Sequence, residues 1–548
     1  MSLPVPLSVR LRTLARDVHI TSEIDDLVFG STSPGGFDTA TLTLHRPLTL
    51  IPGEVAQFAR LYIYDARNGN TVWEGRLQDP GRSAGSNGET YALASVGGQA
   101  HLQDDTRQLF YVDTDMTRWD QVDKTTAAAT LEQIGDFNDT GVPVMILRIP
   151  MGTAVNPTDP SRVVVGHRGI AAAGQKMARL SYNYDCGLTA ATITHSMYAA
   201  TEGVGTADVA FSTTFSTTSS STSRVIGTNW TAGRNRPIIR FHYTGTAGNV
   251  SADTWWLLIS GMSLQATRYD QSGNELLTGA SYTTDTVLAS QVVADVLGRI
   301  LGATIDGANA TIATTSFPIE QLAYPDGVTP AKILEDLIGF EQAYTWHVWD
   351  SNPANGKFRF EWVPWSTDVR YETDVVDGFD SPASGNTVYD RVAVRYHNRG
   401  TIRVPIRTQS VPMLTAAGFS RTAFIDLGDE ASTAANANQV GDQFLSEHQY
   451  PVNGGRLTVR SPIVDYDTGR MVQPWEIRAG TLIRVRGVTP YPNALNSGTG
   501  RDGNTIFKIA STSYSSSDAA ATLELDSFAP SVSRALAALV RRPYVRRR

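Results

Sequence analysis

The chain has 548 residues, 41% hydrophobic and 18% charged, with 54 acidic residues against 46 basic ones and a formal charge of −8. That apolar share suffices for packed cores and excludes wholesale disorder, and the length suggests roughly three to five units. The single cysteine, Cys186, excludes an intrachain disulfide framework and a multi-cysteine zinc site, and the acidic balance argues against a protein built to grip a nucleic-acid backbone.

The start, Met1–Pro6, lacks the basic flank of a signal peptide, and no run approaches 18 apolar residues, so no membrane insertion is expected. Residues 1–105 read as a small β-barrel: alternation at Thr41–Leu44 and Phe58–Tyr64 is punctuated by Ser33-Pro34-Gly35-Gly36, Pro52-Gly53 and Asp79-Pro80-Gly81. Residues 106–165 are mixed, with a short helix expected at Thr125–Ile134, and form the first part of an α+β middle domain. From 166 to 282 charges thin and Ser and Thr rise, which predicts an inserted jelly-roll-like β-sandwich with strands at Ile238–Tyr243, Trp255–Ile259 and Gly261–Ala266. Residues 283–384 complete the middle domain. Helices are expected over Thr286–Leu301 and from Thr329 to a stop at Gly339, then strands at Tyr344–Trp349 and Phe358–Trp362. Residues 385–528 return to strands as a second β-barrel, with a helix at Thr433–His448. Residues 529–548 hold a short helix and an Arg-rich tail.

The two barrels echo each other. Pro52-Gly53-Glu54 and Gly69-Asn70-Thr71-Val72-Trp73 in the first correspond to Ala479-Gly480-Thr481 and Gly503-Asn504-Thr505-Ile506-Phe507 in the last, and Tyr91–Leu93 corresponds to Thr522–Leu525. Three such chains would present six similar modules.

Local chemistry is sparse. Gly81-Arg82-Ser83-Ala84-Gly85 matches a nucleophile elbow but lies in a hairpin, and Gly498–Gly503 matches G-x-G-x-x-G but precedes a strand. Asp465-Tyr466-Asp467-Thr468-Gly469 opens like a calcium loop with its glycine misplaced. Asp25-Asp26 and Asp104-Asp105 read as turns or solvated faces, and the nine histidines form no ligand spacing. No catalytic residue, metal ligand or cofactor is assigned. Trp230, Trp255 and Trp256 are candidate carbohydrate contacts, since aromatic faces stack on sugars. Trp346, Trp349, Trp362 and Trp365 are expected in a core or a subunit interface.

Taken together, 20–102 with Trp73-Glu74-Gly75-Arg76-Leu77-Gln78-Asp79-Pro80-Gly81, 286–350 and 385–490 resemble a minor tail protein of a long-tailed bacteriophage, of the tail-tip or baseplate hub class. The resemblance leaves out 166–282. It implies a fold that is mainly β with an α+β middle, two similar small β-barrel domains flanking that middle, and the inserted sandwich. It implies a homotrimer that adapts a six-fold tail tube to a three-fold tip and closes or lines the DNA exit channel. The implied partners are the distal tail protein or last tail-tube ring, the tape measure protein and other tail-tip or receptor-binding proteins, with DNA only in transit. The implied location is the virion, assembled in the host cytoplasm. An adhesin gripping host cell-wall carbohydrate through 166–282 is the alternative, and a cell-wall hydrolase is a third possibility that no local motif supports.

Overall fold

The computed structural model describes residues 6–12, 16–45, 57–85, 88–114, 116–124, 130–134, 144–150, 162–167, 177–186, 192–200, 209–210, 220–228, 236–244, 254–276, 284–341, 343–374, 377–381, 383–398, 401–431, 434–450, 452–488 and 505–526. The chain is mainly β, and two of its parts are built on one plan.

In the first part, β1 (Ile24–Thr32), β2 (Gly35–His45), β3 (Arg60–Asp65), β4 (Thr71–Gly85) and β5 (Gly88–Gly97) pair antiparallel in the spatial order β1-β2-β5-β4-β3. In the second, β6 (Phe379–Asp380), β7 (Gly455–Val459), β8 (Leu482–Arg486), β9 (Thr505–Ser515) and β10 (Ala520–Asp526) pair in the order β6-β7-β10-β9-β8. The registers coincide as well. Leu27, Leu42, Leu93 and Pro80 lie side by side across the first module, and Phe379, Leu457, Leu523 and Thr512 across the second. A register shift interrupts β4–β5 after Leu77 and β9–β10 after Ile509, at equivalent places. Next to it, the Phe58 N–H donates to Leu77 O and the Leu77 N–H to Ala59 O; Gly480, Ile509 and Thr481 repeat both bonds. Phe58 and Gly480 are both left-handed, at φ 65° and 87°. A bulge sets local twist and bend, so a shared bulge in a shared strand order is a strong sign of internal duplication.

In the Gly-Asn-Thr strand the sequence echo lies two residues out of this register, and at its leading glycine five. Trp73 falls opposite Thr505, Gly75 opposite Phe507, and Gly480 answers Phe58 rather than Gly53, which lies outside the described residues. A two-residue slide keeps every side chain on its face. It has a packing cause here: a Cβ on Gly75 would run into the Trp73 indole, so that ring covers the place Phe507 fills from its own position.

The modules are not two independent barrels, because they share one core. Leu27, Leu42, Trp73 and Leu93 belong to the same buried cluster as Leu457, Ile483, Phe507 and Leu523. The range 385–528 also contains a further body. Ser33 and Pro34 alone join β1 to β2, whereas the equivalent connection in the second module carries residues 385–451. There the strands Arg391–Asn398, Thr401–Arg403, Ile406–Thr408 and Thr422–Ala431 form a sheet with its own core of Val392, Val394, Ile425, Val440 and Phe444.

The middle domain packs helix α1 (Ala289–Asp295) and helix α2 (Pro330–Phe340) against Trp346, Phe358 and Trp362. The helix expected to Leu301 continues only as a π-helical turn, Val296–Ile300. Gly298 is closely approached there by the Asp270 carbonyl and Gly273, which a side chain would exclude. Thr329 caps α2 by accepting from the Lys332 N–H at 3.4 Å, as expected. Gly339 does not stop α2; the helix passes through it and ends at Glu341, whose N–H donates to Leu337 O. Helix α3 (Ala434–Glu447) covers the 385–451 sheet and matches its expected span.

The inserted body is larger than 166–282. One sheet joins Val209–Ala210, Thr192–Ala200, Arg236–Thr244, Arg162–His167 and Trp119–Lys124; the other joins Thr130–Ile134, Val144–Pro150, Thr254–Ala266, Met177–Cys186 and Ser220–Thr228, and through Thr254–Ala266 it continues into Arg107–Asp113 and Leu322–Val328 of the middle domain. Of the range 106–165, Arg107–Asp113 is the strand whose side chains Leu109, Tyr111 and Val112 enter the middle-domain core. Thr130–Ile134 is a strand rather than the end of a helix, because pairing with Val144–Arg148 outweighs its weak helical preference. Thr125–Ala129 and the short helix and Arg-rich tail expected at 529–548 lie outside the described residues.

Candidate functional site

The first module reaches into the second. β1 pairs antiparallel with the outer half of β9, from Val28 opposite Ser515 to Thr32 opposite Ser511. The seam is closed at both ends, by the Ser33 N–H donating to Ala510 O and by the Ser516 N–H donating to Leu27 O. Side chains reinforce it. Ser31 Oγ lies 2.8 Å from Thr512 Oγ1 and accepts from the Ala479 N–H at 3.0 Å. Gly30 is required where it sits, since a Cβ there would enter the Thr512 carbonyl.

Beside the seam runs a buried polar chain. Ser33 Oγ is 2.8 Å from His347 Nε2, and His347 Nδ1 is 2.8 Å from Glu361 Oε1, which also accepts from the Trp349 indole. Serine, imidazole and carboxylate in that order are the components of a hydrolase triad. Here the serine and the imidazole are enclosed, Ser33 8% and His347 3% exposed, with only the Glu361 carboxylate partly open to solvent, and a Cβ on Gly480 would meet both Ser33 and His347. The Ser33 N–H is spent on Ala510 rather than aimed at an oxyanion. The chain therefore ties the β1–β2 turn, the strand Tyr344–Ser351 and the strand Phe358–Pro364 together; Trp349 extends it by packing edge-on to Phe37 at 5.3 Å, beneath the Arg478 guanidinium.

A second tie is ionic. Burial raises the Asp65 carboxyl, but hydrogen bonds from the Arg67 side chain and backbone and from the Trp475 indole outweigh it and hold the group below the usual carboxylate range. A group depressed in the folded state stabilises above its unfolded pKa, and that contribution is lost as pH falls through its folded one. Acidification below the ordinary carboxylate range is thus expected to lower the urea midpoint. Asp65→Asn should flatten that dependence while costing roughly 1–2 kcal/mol at pH 7. A midpoint with the same acid dependence in the variant would rule Asp65 out as its source.

The sequence-derived candidates fall elsewhere. Trp230 lies outside the described residues, and of Trp255 and Trp256 only the backbone is described, in the strand Thr254–Ala266. Ser83 sits in β4, its Oγ 2.7 Å from Thr90 Oγ1 across the hairpin, with no strand-to-helix turn. Asp465 is buried and paired with Arg370, and it accepts from the Asp467 N–H in a tight turn that Gly469 closes at φ 64°. Asp104 pairs with Arg76 and His101, and Asp25 with His45. Among the described residues no cluster of three or more His, Cys, Asp or Glu could hold a metal. The sequence passed over Ser33, His347 and Glu361: Ser33 lies 314 positions before His347, and the three carry no spacing signal. Trp346 and Trp362 pack the middle core, as expected for that tryptophan group.

No family model matches the chain, and no curated protein matches it. Among solved structures it is similar to the 43 kDa tail protein of prophage MuSo2 from Shewanella oneidensis, with 10% identity and a TM-score of 0.41 over 95% of this chain and 97% of that one. It is likewise similar to prophage tail protein gp18 from Listeria monocytogenes, with 8% identity and a TM-score of 0.41 over 97% and 98%. A partial likeness, covering 29% of this chain, is to a family 11 carbohydrate-binding module of Clostridium thermocellum, with 10% identity and a TM-score of 0.19 over 94% of that chain.

Proposed function

We propose that this chain is a structural subunit of a bacteriophage tail tip: a homotrimeric hub that matches a six-fold tail ring to a three-fold tip and has no catalytic role. The observation that carries this reading is the internal duplication, five strands in one order with one bulge and one left-handed residue repeated in place. Two similar modules per chain, taken three times, offer six similar faces, and a six-fold ring is the partner that symmetry fits. In this reading the distal tail protein or last tail-tube ring binds the modules. The tape measure protein meets the hub from above, and DNA passes in transit. The inserted two-sheet body is free to display a carbohydrate-binding surface to the host wall. The closed environment of Ser33 supports a structural role over a hydrolytic one. The test is the mass of the purified particle, followed by electron microscopy of that particle and of assembled tails. A three-fold ring of six similar lobes is the expected result. A chain that stays monomeric and takes no three-fold position on the tail would overturn it.

A further inference from the structure

We propose that the outer edge of β4 in one subunit receives the outer edge of β6 from a second copy of this chain, head to tail, and that this strand pair joins subunits; the inference rests on the ring reading above. Within one chain, β1 of the first module docks on β9 of the second. The counterpart of β1 is β6 continued by Ala383–Ser384. It pairs with β7 and Val452–Asn453 on one side, and among the described residues no strand pairs with its other side. The counterpart of β9 is β4. Its outer half, Asp79–Gly85, pairs with β5, and among the described residues no strand pairs with its other edge, which is largely exposed. One chain thus holds one filled joint and the two halves of an unfilled one, at opposite ends of its two-module row. Unlike surfaces that meet in successive subunits make a heterologous contact, the kind that closes into rings.

The filled joint sets the register of the unfilled one. Transferring the equivalences places Asp380 opposite Ser83, Ser381 opposite Arg82, Ala383 opposite Pro80 and Ser384 opposite Asp79. The hydroxyl pair Ser31–Thr512 becomes the apolar pair Ala383–Pro80. Pro80 points its missing N–H outward, the one orientation a strand edge tolerates, and so discourages pairing with unrelated strands. Gln78, Arg82 and Ala84 keep their outward backbone groups for the incoming strand. At the foot of this edge stands Phe58, 67% exposed in a left-handed conformation that bulky residues avoid. Its counterpart Gly480 is covered by His347 with Ser33 beside it, and Ser33 answers to Gly385, so the incoming subunit brings Gly385 beside Phe58.

The experiment uses the full chain carrying Asp79→Cys together with Ser384→Cys, oxidised and run without reductant beside each single variant. Facing cysteines at a non-hydrogen-bonded antiparallel pair are close enough to bridge. Covalent dimers and trimers in the double variant, absent from both singles, are expected. In parallel, Arg82→Pro is compared with Arg82→Ala: both lose the ion pair to Glu89 across β4–β5, and only proline also removes the outward N–H. Arg82→Pro should weaken the trimer about tenfold relative to Arg82→Ala, with similar unfolding midpoints for the two variants. A native trimer that neither cross-links nor responds to Arg82→Pro overturns the edge pairing and leaves the three-fold ring standing. A chain that is monomeric in solution and on tails, without cross-link, overturns both.

Discussion

Gly30→Ala is expected to destabilise the protein by about 3 kcal/mol, because the added methyl has only backbone to displace. Its Cβ would enter the Thr512 carbonyl, at the centre of the β1–β9 seam. Small-to-large changes are tolerated where a flexible side chain can swing away. Here both strands are fixed by hydrogen bonds at the two ends of the seam, at Ser33 and at Leu27. The strands must part, and parting them also uncovers the shared core beneath Leu27 and Leu523. The measurement is urea unfolding followed by tryptophan fluorescence, with separate transitions fitted if the modules uncouple. Gly339→Ala is the matched control. That glycine lies inside α2 with nothing within 4 Å of its Cβ position, so alanine there should be neutral or stabilising by roughly 0.5–1 kcal/mol. If Gly30→Ala proves as harmless as Gly339→Ala, the seam is not holding the modules together.

The seam was only half legible in the sequence. Alternation and turn residues located most of the module strands, because one face of each is buried and period two is then imposed. Cap chemistry placed the start of α2, and Thr329 with Pro330 needs no tertiary context to do so. The echo was visible, but its register was not: an aromatic ring at Trp73 covers the position of residue 75, so matching aromatic to aromatic misplaces the alignment by two. Module boundaries were hidden for a topological reason. The body at 385–451 is held in a hairpin connection that in the first module is Ser33-Pro34, and nothing in local composition marks a hairpin that has been opened. Local pattern groups 106–165 with the middle domain, whereas pairing joins the strands from 119 to the inserted body, because Arg162–His167 and Val144–Pro150 find partners far downstream in Arg236–Thr244 and Thr254–Ala266. Nor could spacing bring Ser33, His347 and Glu361 together, since strand pairing alone makes them neighbours.

That polar chain gives the second large effect. His347→Ala is expected to cost about 3–5 kcal/mol, in the range of deleting a buried aromatic ring. The imidazole is 3% exposed, stacks on Trp349 at 5.1 Å, and holds Ser33 on one nitrogen and Glu361 on the other. Removing it leaves a cavity and a buried serine hydroxyl with a poorer set of partners, and it frees Glu361 from the seam. Ser33→Ala alone should cost about 1 kcal/mol, because the His347 ring still packs. The double variant should cost less than the sum, as contacting residues in one network do. Stability is one half of the test; chemistry is the other. If the chain is a lock, the wild type hydrolyses no ester above background and a fluorophosphonate probe leaves Ser33 unlabelled. Labelling at Ser33 that disappears in His347→Ala would mean that the enclosed serine becomes reachable, and the non-catalytic reading would have to give way. A cost below about 0.5 kcal/mol for His347→Ala would instead show that the three segments are held by the apolar core alone.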